Sequence, residues 1–348
     1  KPEQGYPTSA FDYELPRDRI ARYPAARRDE SRLMVLDRAR NAIEHRRFKD
    51  IADCLQPGDA LVLNETRVFP ARILGKRESG APAEVLLLHP HGDSDHVWEA
   101  LVRPGAKLKP GRHVCVSDEF TIDILEATPE GSRIVRLATE LPLQTALDRY
   151  GRVPLPPYLD RDAEDLDRER YQTVYAREEG SVAAPTAGLH FTPELLDAIA
   201  QKGVTIVRIV LHVGVGTFRP VEVEDPEQHV MHEELYTVTH DAVTAMAAVR
   251  ARGGKLWAVG TTVARTLESV TDEQGTMHAG SGSTNLFIRP GYRFKAVDHL
   301  ITNFHLPRST LLMLVAAFGG YEFVMHAYRE AVAGDYRFYS YGDAMAII

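Results

Sequence analysis

Cysteine is almost absent: the 348 residues include two, Cys54 and Cys115. They lie far apart and neither belongs to a CxxC pair. That excludes a disulfide framework and a thiolate zinc site, and it fits a reducing cytoplasm. Long hydrophobic runs are missing too. The longest apolar block, residues 311–318, is too short to span a bilayer, so no membrane attachment is expected. The opening residues, KPEQGYPTSA, have no apolar signal-peptide core. They read as a disordered lead-in or an expression remnant. An excess of positive charge is also lacking. Lys and Arg total 41 against 49 Asp and Glu, a formal charge of −8. A generally basic nucleic-acid binder is thereby excluded, although a local basic face can still meet a phosphate backbone. There is no internal repeat and no low-complexity tract.

What is present is an ordinary globular composition, 44% hydrophobic and 26% charged, at a length sufficient for two domains. Residues 11–67 read as mixed α/β. From about 68 to 150 six short alternating runs follow one another: ARILGKR, AEVLLLH, VWEALVR, HVCVSD, FTIDILEA and SRIVRLA. Gly, Pro and Asp turns separate them, the pattern of a small antiparallel barrel. Beyond Pro157 strands and helices alternate. VTIVRIVLHV and KLWAVG read as buried strands. Helices are expected after Thr192, over HDAVTAMAAVRA and over TTVARTLESV. The fold class expected is α/β. A large mixed-sheet domain is built from residues 1–67 and 151–348, and a small antiparallel β-barrel is inserted at 68–150.

Four junctions share one design, a buried element followed by a small-residue polar loop and a second element. In ITNFHLPRSTLLMLVAAFGG an apolar strand meets a helix with no polar face. Thr302, Asn303, His305 and Arg308 sit between them, and Ser309 or Thr310 is placed to cap the helix. In AAPTAGLHFTP (183–193) Thr186 and His190 are the polar groups, and Gly188 leaves room for a ligand beside the backbone. In LHVGVGTFRPV (211–221) His212, Gly214 and Gly216 follow a buried strand. Arg219 stands where a GxGxxG turn needs its third glycine, so the dinucleotide match fails. In AVGTTVARTLES (258–269) Thr261, Thr262 and Arg265 open a helix whose free N–H groups suit a carboxylate, phosphate or ribose. Each junction has a plainer reading, as a capped helix, a tight connection or a β-bulge.

His229 and His232 in EQHVMHEE would share one helical face. No third ligand is evident, so no metal is expected. Basic residues gather at Arg17, Arg19, Arg22, Arg27, Arg28 and Arg32, at Arg38, Arg40, Arg46, Arg47 and Lys49, and at Lys76 and Arg77. They read either as a solvated surface or as a track for phosphates.

Taken in order, FDYELP, NETRVFPAR, PLPPYL, ERYQTVYA, AAPTAGLHFT, LHVGVGTFRPV, HVMHEE, AVGTTVARTLES, LFIRPGYRF, ITNFHLPRSTLLMLVAAFGG and YRFYSYGDAM resemble the signature series of one family. It is the S-adenosylmethionine:tRNA ribosyltransferase-isomerases of queuosine biosynthesis. The resemblance spans nearly the whole chain, with one departure at Glu65, where related sequences often carry Asn or Asp. It implies an enzyme that uses S-adenosylmethionine as co-substrate and ribosyl donor. The acceptor is the 7-aminomethyl-7-deazaguanine base at the wobble position of tRNA. Epoxyqueuosine forms, and adenine and methionine leave. It also implies the inserted-barrel layout, a cytoplasmic location and, in this reading, a monomer.

The sulfonium acidifies the adjacent C5′ hydrogens, so a base must take one, and a proton donor helps adenine depart. Groups titrating near neutrality suit both tasks. His190, His212, His305 and His232 are the candidates, with base and acid unassigned among them. Arg308 suits the methionine carboxylate, with Thr261 and Thr262 as further donors, and Thr302 and Asn303 suit adenine or ribose. The rivals are a methyltransferase, a non-catalytic RNA-binding module and a metal hydrolase built on His229 and His232.

Overall fold

The computed structural model describes residues 5–348. Nine strands form one mixed sheet. Their order is Gly280–Thr284, Glu234–Val238, Thr205–Leu211, Ala60–Asn64, Leu256–Val259, His299–Asn303, Ala344–Ile347, Arg32–Asp37 and Ala42–Arg47. The run from Thr205–Leu211 to His299–Asn303 is parallel throughout. Its strands are short and apolar because both faces are covered. In Ala60–Asn64, Ala60 and Val62 face one core, beneath the helices His240–Ala251, Thr261–Val270, Thr310–Gly319 and Tyr321–Ala333. Leu61 and Leu63 face the other, beneath the helix Pro193–Gln201 and the 3-10 turn Phe48–Asp53. The period-two alternation of a strand thus feeds two hydrophobic layers.

The barrel holds six antiparallel strands: Arg72–Lys76, Pro82–Pro90, Val97–Arg103, His113–Ser117, Phe120–Ala127 and Arg133–Thr139. It closes where Lys76 pairs with Cys115. Gly75 permits that closure, since a Cβ there would stand 2.6 Å from Val114 Cγ1 and 2.7 Å from the Cys115 carbonyl. The helix Leu143–Tyr150 packs Ala146 and Leu147 into the barrel core. At Gly151 the chain returns beside its point of departure, where a Cβ would lie 2.1 Å from the Pro70 carbonyl. The large mixed-sheet domain with an inserted antiparallel barrel is therefore the observed fold class.

Three local expectations change. Residues 11–67 hold strands and 3-10 turns but no α-helix. Residues 1–4 of the lead-in lie outside the described residues. The remainder is packed rather than disordered. Tyr6 stacks on Tyr321 at 4.1 Å, and Thr8 is fully buried with its hydroxyl donating to the Val223 carbonyl at 2.6 Å. His229 and His232 occupy an extended segment between the 3-10 turn Pro226–Gln228 and the strand Glu234–Val238, so no helical face unites them. The apolar block 311–318 is the buried helix Thr310–Gly319, capped by Ser309, whose Oγ accepts from Leu312 N at 3.2 Å. Among the described residues no single helix is long and apolar enough to cross a membrane.

Candidate active site at the carboxyl ends of the parallel strands

Asn64, Leu211, Val259 and Asn303 end the four parallel strands along one edge of the sheet. From Ala60–Asn64 the next sheet strand, Thr205–Leu211, lies on one side, and Leu256–Val259 lies on the other. Such a reversal of strand order opens a crevice outside the carboxyl ends, where α/β sheets bind ligands. A narrow pocket of about 40 Å³ opens there between Thr186, Gly260, Thr261, Thr262, Thr302, Asn303 and His305. Val213 and Leu311 line both this pocket and a larger cavity of about 640 Å³. The cavity lies between Phe69, Trp98, Glu99 and Leu147 near the barrel and His212, Gly214, Gly216, His229, His232, Glu234 and Arg265 of the large domain. Its volume falls within the range of ligand sites.

The helix Thr261–Val270 points its N-terminus into the narrow pocket. Gly260 precedes it at φ +95°, and no side chain caps it. The first-turn N–H groups therefore carry the helix dipole toward whatever occupies the pocket. Thr261 and Thr262 are buried beside them. One turn further, Arg265 is buried and donates from Nη2 to Glu234 Oε1 at 2.5 Å. Glu234 Oε2 in turn accepts from Gly214 N at 2.9 Å. The buried Nε of Arg265 has no partner among the described residues.

The four histidines part company. His212 is half-buried, follows the strand Thr205–Leu211 directly and lines the cavity. Its Nδ1 lies 2.8 Å from Thr66 Oγ1, and no hydrogen bond of Nε2 is seen among the described residues. Burial lowers its pKa, against the opposing pull of Glu178. His232 is exposed and lines the same cavity; a Cβ on Gly216 would come within 2.4 Å of its ring. His305 is buried in the narrow pocket with Nε2 2.7 Å from Thr302 Oγ1, and desolvation pushes its pKa down to about 3. His190 lines neither space. Its Nδ1 meets Ser31 Oγ at 2.6 Å, its Nε2 meets Asn303 Oδ1 at 2.7 Å, and its ring stacks on Phe48. Asn303 donates from Nδ2 to the carbonyls of Tyr339 and Ser340, so its oxygen accepts from His190 Nε2 and the ring is held behind the pocket wall. Burial lowers its pKa.

Other candidates are also displaced. Arg308 is held away from both spaces, with its N bound to the Phe11 carbonyl and its Nη2 3.5 Å from Glu224. It adopts φ +60°. Gly188 makes room for protein, not ligand, because a Cβ there would overlap the Tyr175 hydroxyl at 2.0 Å. Most of the basic series clamps the fold. Arg19 pairs with Asp335, Arg22 binds the Asp160 carbonyl, Arg38 the Asp298 carbonyl, Arg40 pairs with Asp37 and Arg46 with Glu44. No cluster of three or more metal-ligating side chains occurs among the described residues.

Asn64, Thr66, Ser181 and Glu234 were not singled out from sequence. Asn64 is fully buried and bridges two strands, its Nδ2 donating to the Leu211 carbonyl and its Oδ1 accepting from Leu211 N. A polar residue ending the apolar run ALVLN was the available signal. Glu65 keeps a buried Oε2 without a hydrogen bond, 3.8 Å from Arg208 Nε.

A family model described as queuosine biosynthesis protein matches residues 8–347. Among curated proteins, the chain is 57% identical to the S-adenosylmethionine:tRNA ribosyltransferase-isomerase of Symbiobacterium thermophilum, covering 98% of this chain and 99% of that one. It is 55% identical to that of Syntrophomonas wolfei, covering 100% and 99%. Among solved structures it resembles S-adenosylmethionine tRNA ribosyltransferase from Thermotoga maritima. The TM-score is 0.57 at 41% identity, covering 98% of this chain and all of that one.

Proposed function

The chain belongs to the queuosine biosynthesis protein family, and on that footing we propose that the joined pocket and cavity are where its reaction takes place. It is a transferase of tRNA modification. It transfers and isomerises the ribosyl group of S-adenosylmethionine onto the 7-aminomethyl-7-deazaguanine base at the tRNA wobble position, and adenine and methionine are released.

The observation that carries the site is the uncapped N-terminus of Thr261–Val270, opening into the narrow pocket, which Val213 and Leu311 join to the cavity walled by both domains. A carboxylate placed there meets first-turn N–H groups and the hydroxyls of Thr261 and Thr262, and Arg265 adds its charge one turn along, on the cavity side. This favours Arg265 over Arg308 as the arginine for the methionine carboxylate. Thr302 and His305 supply polar contacts in the narrow pocket, and Gly214 and Gly216 let the sugar approach the backbone of the cavity wall. His212 and His232 are the histidines placed to move protons, whereas His190 holds Asn303 in place from behind. The target base enters from the barrel side, beside Trp98 and Glu99. Holding sulfonium nucleoside and tRNA base in register between two domains supplies much of the acceleration. The location expected is the cytoplasm, and the working unit a single chain.

Incubation with labelled S-adenosylmethionine and tRNA bearing the aminomethyl base, followed by chromatography, tests the whole reading. Adenine and methionine are the expected products. S-adenosylhomocysteine would instead identify a methyltransferase.

A further inference from the structure

We infer that Ser181 and Thr66 fix the tautomer of His212, so that this imidazole presents an Nε2–H to the cavity. The inference rests on the reading of that cavity as the site of ribosyl transfer.

Both hydroxyl residues are completely buried, and each proton has few places to go. Ser181 Oγ accepts from Val213 N at 2.8 Å, and its other neighbour is Thr66 Oγ1. The Ser181 proton therefore goes to Thr66. Thr66, having accepted it, has two acceptors left, His212 Nδ1 at 2.8 Å and the Glu178 carbonyl at 3.5 Å. The shorter contact wins. The chain runs Val213 N–H to Ser181, Ser181 O–H to Thr66, Thr66 O–H to Nδ1. With Nδ1 accepting, the neutral ring carries its proton on Nε2.

A protonated Nδ1 has two ways to be accommodated, and both are poorer: with Thr66 donating to Ser181 the buried Ser181 hydroxyl has no acceptor, and with Thr66 accepting from both neighbours its own proton is left to the Glu178 carbonyl at 3.5 Å, the longest contact of the set. Gly180 packs against the imidazole so closely that a Cβ there would fall 2.7 Å from Cε1 and 2.8 Å from Nδ1. The segment that carries Ser181 thus also packs on the ring.

The consequence is a division of labour. An Nε2–H on a neutral ring donates a hydrogen bond to charge developing on a ring nitrogen of departing adenine or on a sugar oxygen. Through that nitrogen it does not remove the C5′ proton. Proton removal falls to another group of the cavity, and Ser181 and Thr66 act as positioning residues.

Nitrogen-15 NMR of the whole protein labelled at histidine tests this, with His212→Asn used to assign the signals. The wild-type ring should show a protonated Nε2 and a bare Nδ1. Ser181→Ala should shift it toward a mixture of tautomers and cut adenine release by about tenfold or more, with the Kd for S-adenosylmethionine unchanged. Thr66→Val should do the same, and Thr66→Ser should restore the wild-type tautomer. If circular dichroism shows Ser181→Ala unfolded, the two Thr66 variants carry the test. A protonated Nδ1 in the wild type, or an unchanged tautomer in both Ser181→Ala and Thr66→Val, would overturn the proposal. The expected tautomer combined with full turnover in His212→Asn would leave the relay standing and overturn the reading of the cavity instead.

Discussion

His305 shows how burial sets what a titratable group can do. In the folded protein it takes a proton only near pH 3, whereas an unfolded chain takes it near 6.5. Between those values the unfolded state binds more protons, so stability falls as pH drops below about 6.5. By pH 5 roughly 2 kcal/mol should be lost relative to pH 7. Thermal unfolding across pH checks this. His305→Gln should flatten the curve, leaving a residual slope from His190, which is lowered in the same direction. His212→Ala should cut adenine release by about 10²- to 10⁴-fold with the circular dichroism spectrum unchanged. At this scale the sequence was only partly legible. It supplied His212, His305, Thr261 and Thr262 from their junctions, but His190 lies in a junction of the same appearance. Only the coordinates reveal that Ser31 and Asn303, remote in sequence, occupy both its nitrogens.

The strand-to-helix junctions were the most legible elements, because an apolar run that stops at a polar residue must stop at the edge of the sheet. ALVLN and HLITN end in this way, and KLWAV ends just before Gly260 and two threonines. Side-chain placement was less legible. Arg308 pairs with Glu224 and lines neither the pocket nor the cavity. The turn bearing His229 and His232 is not helical. The link between Glu234 and Arg265 was invisible because it joins a strand to a helix. Arg265→Ala would leave the Glu234 carboxylate buried with Gly214 N as its remaining partner. A loss of about 3 kcal/mol in denaturant unfolding is expected. Gly260→Ala should weaken S-adenosylmethionine binding. A side chain at φ +95° is strained, and relief of the strain tilts the N–H groups that face the pocket.

At the scale of the whole molecule, a −8 chain that handles tRNA must meet its phosphates through local basic residues. Its arginines are largely occupied by carboxylates and backbone carbonyls. The affinity for tRNA should therefore fall only gently with salt, with a log–log slope of about −2 to −3, checked by titration across ionic strength. A much steeper slope would mean that the clamping arginines are released on binding. The inserted barrel was legible from its six evenly spaced runs, whereas the cavity between barrel and sheet was not, since no local pattern encodes how two domains face each other.

Nesting the barrel within the larger domain also shapes how the chain acquires its form. Every barrel pairing lies within about 40 residues, but Leu61 must wait for Ile206 on one side and Trp257 on the other. Local pairings close quickly and remote ones slowly. During synthesis the barrel is therefore complete while the apolar ALVLN strand is still unpaired and prone to stick to other chains. The exposure of that strand therefore lasts until the chain beyond residue 200 has been made, the interval in which aggregation competes with folding.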